Sequence, residues 1–421
     1  MNETRLRTLL GSVFVDEPPI GAIAQGALRR AMGLRRRRRV ISASACTACV
    51  AAVAAGIATM TGAFGGVAQQ VNTSGPPGSG SLTGRPLAST VYVMCRSRPV
   101  PIATRPGSAS RASVAGPEST VDIAITANGK YIYVPSENNP ETVTPVATAT
   151  GKAGTPIRVG KFPTTITITP NGKTAYVTNI NSNTVTPINL TTNTAEPSIR
   201  VGERPRAVVV TPDGKTAYVV NQGGTVIPVR TATNRAGPRI KVGRGPLAAA
   251  ITPDGATLYV ANSAGNTVTP ITTATNKPGR PIRVGTDPWS LAVSPDGKTI
   301  YVASLQAGTV TPIATATNTA GKQIYVGPEA WSVAVTPDGK MAYATSYGNG
   351  TITPIVTASN TAETPIKVGK GARTIAITPD GKLAYVASYP TNTIWPVDIA
   401  ANKAGKPIHV CKGPQDIVIT P

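Results

Sequence analysis

Beyond residue 120 the chain repeats a two-residue signal at an almost constant interval. An Asn-Gly or Asp-Gly pair begins at Asn128, Asn171, Asp213, Asp254, Asp296, Asp338 and Asp380, at spacings of 43, 42, 41, 42, 42 and 42 residues. A period this strict demands one supersecondary unit used over and over, each copy burying its apolar face against its neighbours. Within a unit, the apolar run SVAVTP (Ser332 to Pro337) precedes the turn and MAYATS (Met341 to Ser346) follows it. Asp-Gly between two such runs is the strongest short hairpin signal, because both turn residues tolerate positive φ. GTITPI (Gly350 to Ile355) reads as a third strand and PIKVG (Pro365 to Gly369) as a short fourth.

Four antiparallel strands in about 42 residues make one blade of a β-propeller, so the expected class is all-β. Composition agrees: only 4% of residues are aromatic, leaving Val, Ile, Ala and Tyr to build the core, and 42 Gly and 39 Pro punctuate short strands. The first strand places a small Ala between two large residues, as in VAV (Val333 to Val335) and IAI (Ile375 to Ile377), which suits the crowded centre of a ring. One feature resists. Pro145, Pro187, Pro228, Pro270, Pro312, Pro354 and Pro396 recur in the third strand, where proline loses a ladder hydrogen bond; a bulge or a short fourth strand is expected there.

AYVTN (Ala175 to Asn179), YVAN (Tyr259 to Asn262) and the TPDGK turns resemble the YVTN family of β-propeller repeats, strongly over residues 120–421 and weakly back to Ser89. The resemblance implies an extracytoplasmic or surface-layer-like propeller. It implies little about ligand, since one propeller architecture serves binding, scaffolding and catalysis.

Tyr133, Tyr176, Tyr218, Tyr259, Tyr301, Tyr343 and Tyr385 mark the second strand of seven units, and Tyr92 precedes Tyr133 by 41 residues. PVPI (Pro99 to Ile102) and ASVAG (Ala112 to Gly116) then stand for third and fourth strands, yet no first strand precedes Tyr92. The missing strand is GPQDIVITP (Gly413 to Pro421) at the other end. Joining the ends this way gives eight blades and removes the free sheet edges that the two chain ends would otherwise leave; the alternative is seven blades with Ser89 to Gly116 as a peripheral strap. Cys95 and Cys411 both fall in this composite blade, one ending its second strand and the other preceding its first, so a disulfide between them is expected. The alternative is two unrelated buried thiols.

Net charge is +22, with +6 on residues 1–39 and the remaining +16 after them. Behind the run Arg35 to Arg39, residues 40–68 carry no charge and exceed the roughly 20 residues a spanning helix needs. The expected organisation is a basic cytoplasmic segment (1–39), a transmembrane helix (40–68) that makes the cell membrane a partner, a Gly/Ser/Pro-rich linker (69–88) and a propeller (89–421) held outside by the arginines. The alternative is secretion after cleavage near Ala68.

Chemistry-bearing motifs are sparse. The sole histidine is His409, which excludes a Ser-His-Asp arrangement remote from it and any multi-histidine metal site. No cofactor is implied. Glu203, Asp287 and Glu329 fall in loops leading into first strands, and a lactonase-like hydrolase is the enzyme alternative. The residue opening each first strand varies while its neighbours hardly change: Val121, Thr164, Arg206, Leu247, Trp289, Trp331, Arg373 and Gln415. These should circle the mouth of the central channel. Arg206, Trp289, Trp331 and Arg373 are the expected ligand-binding arc, since indole faces and guanidinium forks suit a sugar or an anionic polymer; interblade packing is the competing role for the indoles. The sequence thus points to a binding or scaffolding module for an envelope polymer or protein ligand, and away from nucleic acid.

Overall fold

The computed structural model describes residues 90–95, 99–103, 122–136 and 141–420. These form eight antiparallel sheets. One blade runs through an inner strand Ala330–Val335, a second strand Met341–Ser346, a third Thr351–Val356 and an outer strand in two pieces, Thr361–Ala362 and Ile366–Lys367. Each inner strand touches that of the next sheet, from Ala124–Ile125 and Pro163–Ile168 around to Ala372–Ile377 and Pro414–Ile419, which in turn touches Ala124–Ile125. The ring is closed.

The core lies between sheets. Ala250 and Tyr259 of one blade pack with Leu291 and Ile300 of the next, and the same alternation recurs around the ring because strand residues alternate faces. The tyrosines explain their own periodicity. Each fills an interblade space with its ring, and six donate the hydroxyl to an Asn Oδ1 on the following blade: Tyr133 to Asn193, Tyr176 to Asn234, Tyr218 to Asn276, Tyr259 to Asn318, Tyr301 to Asn360 and Tyr343 to Asn402, at 2.6–2.9 Å. These asparagines hold φ of 47–55°, a left-handed turn conformation that Asn tolerates better than most residues. The position thus requires both a tolerant backbone and a side-chain acceptor.

The recurrent prolines split the outer strand instead of bulging the third. Pro187 stands opposite Tyr176, and its carbonyl accepts from Glu196 N at 2.8 Å on the outer side. A strand residue's N–H and C=O point the same way, so the hydrogen bond that proline cannot donate is one to the outer strand. That strand accordingly pairs on either side of the gap, Thr194–Ala195 with Asn189 and Ile188, and Ile199–Arg200 with Val185 and Thr184.

The composite blade is present: Pro414–Ile419 pairs with Thr90–Cys95, which pairs with Pro99–Ala103. Cys95 and Cys411 form a disulfide with Cα atoms 5.8 Å apart. The repeat shows why this pair of positions is close. Where Cys411 stands, other blades carry glycine, and a Cβ on Gly243 would lie 2.5 Å from Asn262 Cγ at the end of the second strand. The two cysteines occupy that same close approach. The expected fourth strand of this blade, residues 112–116, lies outside the described residues.

The membrane placement is corrected. Among the described residues no helix is long and apolar enough to cross a membrane; their only helical element is the 3-10 turn Ser263–Gly265. Residues 1–39, 40–68 and 69–88, including the cleavage alternative at Ala68, lie outside them. The single-pass anchor is therefore withdrawn, and the site below is built without it.

Candidate binding site at the channel mouth

The described residues singled out by internal comparison each sit on a β-bulge or register irregularity. Pro205 pairs with Asn221 and Ala207 with Val220, leaving Arg206 as the extra residue; Leu247, Trp289 and Gln415 are extra in the same way. A bulge bends its strand and re-aims the unpaired side chain. Because that residue lies outside the ladder, its identity is free to vary while its neighbours repeat. Val121 lies outside the described residues.

Two residues upstream the backbone turns left-handed, at Phe162, Arg204, Gly245, Asp287, Glu329, Gly371 and Gly413, with φ of 53–70°. Glycine meets this without strain. Asp287 and Glu329 adopt it at φ 60° and 56° in the two blades that carry the indoles. Asp287 is anchored: its N–H donates to Asn266 Oδ1 at 2.9 Å, and Ser263 Oγ donates to its carboxylate. Burial raises the pKa of both carboxyls above the usual range, Asp287 against an opposing pull from Ser263. Glu203, the third carboxylate of these loops, is exposed.

The bulges bring Trp289, Trp331 and Arg373 together from three consecutive blades. The indoles meet at 5.4 Å between ring centroids, tilted by 56°, and the Arg373 guanidinium lies 4.5 Å from the Trp331 ring centroid and 4.9 Å from that of Tyr389. Tyr347 packs on Trp331 at 5.7 Å. Arg206 stands apart, with the Leu247 blade between it and Trp289; its Nε and one terminal NH2 donate to Gln222 Oε1 at 3.3 and 3.2 Å, an acceptor shared with Arg204 Nε at 2.9 Å.

Exposure divides the arc. Trp289 is 4% exposed and Arg206 and Arg373 6%, whereas Trp331, Tyr347 and Tyr389 are half-buried. A binding arc requires partial exposure of Arg206, Trp289, Trp331 and Arg373. Only Trp331 shows it, because the re-aimed side chains cover one another. Trp289 Nε1 is buried with no hydrogen-bond partner. The accessible surface is thus an aromatic platform of Trp331, Tyr347 and Tyr389 with Arg373 wedged against two of its rings, a cation–π arrangement that fixes the rings in place.

Tyr347 and Tyr389 escaped the sequence reading although they share one column: the residue just past the second strand is Ile180, Gln222, Ser263 and Leu305 in four other blades. A second omission is Asp122 with Asp416. One residue beyond the bulge, six blades carry Thr165, Ala207, Ala248, Ser290, Ser332 and Thr374, and the two blades at the chain closure carry aspartate. This column ties neighbouring blades together. Thr165 Oγ1 donates to Arg206 O at 2.8 Å, Thr374 Oγ1 to Gln415 O at 2.7 Å, and Asp122 and Asp416 accept from Ile166 N at 3.1 Å and Ile123 N at 3.4 Å.

Comparison with known proteins agrees at the level of fold. Residues 250–410 match the family model described as lactonase, 7-bladed beta-propeller; the stretch runs from one inner strand to the outer strand before the composite blade, while the described residues form eight sheets. Among solved structures, this chain is similar to Kuenenia stuttgartiensis hydrazine synthase (22% identity, 71% of this chain and 99% of that one, TM-score 0.55). It is also similar to dihydro-heme d1 dehydrogenase NirN in complex with DHE (14%, 81% and 77%, 0.67) and to apo AztD from Citrobacter koseri (13%, 79% and 98%, 0.61). No curated protein matches it. At such identities the likenesses speak for architecture, and what they support for this chain is a β-propeller of four-stranded antiparallel blades.

Proposed function

We propose that this propeller is a binding module whose channel mouth takes a sugar-bearing ligand, stacked on the platform of Trp331, Tyr347 and Tyr389. The observation that carries the reading is the half-exposed Trp331 ring, held between Trp289 and Arg373 by packing from both neighbouring blades. Pyranose faces offer C–H groups to aromatic rings, and hydroxyls need polar partners at the rim. Asp287 and Glu329 flank the indoles at half-buried loop positions, Asp287 anchored by Asn266 and Ser263, that suit this task. Binding of the purified protein to an array of neutral, amino and uronic-acid oligosaccharides tests the reading, with Trp331→Ala as the variant that should lose the signal.

A second reading, hydrolysis of a lactone, draws on the match of residues 250–410 to the lactonase family model. The described residues hold no group of three or more His, Cys, Asp or Glu side chains placed to share a metal ion. Assaying lactone turnover with and without added divalent metal separates the readings: turnover abolished by Asp287→Asn, with no oligosaccharide bound, would replace the binding reading with the hydrolytic one.

A further inference from the structure

The outer strands carry a second repeated pattern that the channel-mouth site does not use. Each described outer strand ends in a dipeptide whose first residue, isoleucine, turns into the blade, while the second faces solvent. That second residue is Arg158, Arg200, Lys241, Arg283 and Lys367 in five blades, all exposed. Tyr325 and His409 take the position in the other two. The second piece of one blade's outer strand touches the first piece of the next blade's, as Ile199–Arg200 does Arg235–Ala236, so the cations recur along one belt. A groove of about 720 Å3 opens on the same belt, lined by Glu363, Ile366, Lys367, Asn402 and Lys403 among others.

The belt differs from the other basic face of the ring. On the hairpin-turn face, Lys215, Lys298, Lys340 and Lys382 each sit 3.4–4.0 Å from the aspartate of their own turn, so that charge is locally offset. The five belt cations form no ion pair with the described residues. Their charge is therefore not offset by an ion pair, as it is on the turn face.

We propose that this outer belt is a docking surface for an acidic polysaccharide. Repeated cations suit a flexible chain of carboxylate or sulfate groups, and guanidinium forks bind such groups in pairs. Nucleic acid fits less well, since single strands are held by a series of aromatic stacking platforms and this row offers only Tyr325. Basic residues on an exposed edge also discourage edge-to-edge pairing of sheets, so the test has to separate docking from that role.

Two variants of equal charge change make the separation. One carries Arg200→Gln, Lys241→Gln, Arg283→Gln and Lys367→Gln on the belt; the other carries Lys215→Gln, Lys298→Gln, Lys340→Gln and Lys382→Gln on the turn face. Binding is read with heparin oligosaccharide as probe, beside dextran and single-stranded DNA of similar length. The belt variant is expected to lose heparin affinity by about tenfold or more and the turn-face variant by about twofold, the order of effect for several lost charge contacts. Any dextran bound should be bound equally by the two variants. Equal losses in the two variants, or DNA bound at the belt more tightly than heparin, would overturn the proposal. Should the belt variant aggregate, acetylation footprinting of the unaltered protein decides: heparin should protect Lys241 and Lys367 and leave Lys215 and Lys340 reactive, and the reverse pattern contradicts the belt. The fold-loss caused by the belt substitutions should be the same with and without Trp331→Ala, so failure here is distinct from failure of the channel-mouth reading.

Discussion

The carboxyl groups of Asp122 and Asp416 hydrogen-bond to each other across the joint where the composite blade meets the first blade built from continuous chain. Each also accepts a backbone N–H from the inner strand that follows it. Two buried carboxyls in contact cannot both ionise cheaply, so one proton is shared between them. Burial pushes Asp416 up to about 6, and burial together with the neighbouring charge and hydrogen bond of Asp416 pushes Asp122 well above the ordinary carboxylate value.

The sign of the resulting pH dependence follows. A carboxyl whose folded-state pKa is raised contributes stability that is fully present below its unfolded value, near 4, and lost as pH rises through the folded value. The ring closure should therefore weaken as pH rises through about 6. The turn aspartates act oppositely in acid: their hydroxyl and backbone hydrogen bonds hold Asp213, Asp254, Asp296 and Asp338 below the usual range. The informative quantity is thus the difference in melting temperature between the unaltered protein and Asp416→Asn. That difference should shift in favour of the variant as pH rises from about 4 through about 6, and a difference that is flat with pH would show that the pair does not share a proton.

The disulfide closes a loop spanning 316 residues of sequence. In the chain-entropy model such a link adds at most about 5 to 6 kcal/mol to stability, with about 2 to 4 more usual. Cys411→Ser should lower stability in chemical denaturation by an amount in this range, and a reductant should destabilise the unaltered protein but not the variant. Two titratable thiols at Cys95 and Cys411 in the oxidised folded protein would contradict the bridge.

The legible part of the molecule was whatever repeats. Asp-Gly turns, the tyrosine column and the glycine column give strand order and spacing directly, and the departures from them at Cys95 and Cys411 located the closure. The prolines were visible, but their effect was not: a proline in the third strand breaks the outer strand because its backbone faces outward, a fact of register. The site was half legible. Variation at Trp289, Trp331 and Arg373 marked the right column, yet it gave no hint of the bulge that turns those side chains onto one another and buries most of them. Tyr347 and Tyr389 reach the cluster only through that re-aiming. Asp122 and Asp416 lie 294 residues apart in sequence and become neighbours only when the ring closes.

The tyrosine clasps make a graded prediction. Tyr218 donates to Asn276 Oδ1 at 2.7 Å, and Asn276 holds φ 55°. Tyr218→Phe removes the donor and should cost about 1 to 2 kcal/mol. Asn276→Ala removes the acceptor and also places a less tolerant residue in the left-handed region, adding about 1 kcal/mol. Urea denaturation of the two variants should rank them in that order; the reverse ranking would mean that the backbone there is not under constraint.

The two indoles should respond in opposite ways. Trp289 is enclosed, so Trp289→Ala leaves a cavity and should cost about 3 to 5 kcal/mol of stability. Trp331 is half-exposed, and Trp331→Ala should change melting far less. The most direct test of the channel-mouth account is calorimetric titration of the unaltered protein and Trp331→Ala with the best-bound oligosaccharide of the array. Loss of about 1 to 3 kcal/mol of binding free energy in the variant, with folding retained, is the result expected of a stacking platform; equal affinity in the two proteins, or no oligosaccharide bound by the unaltered chain, would contradict it.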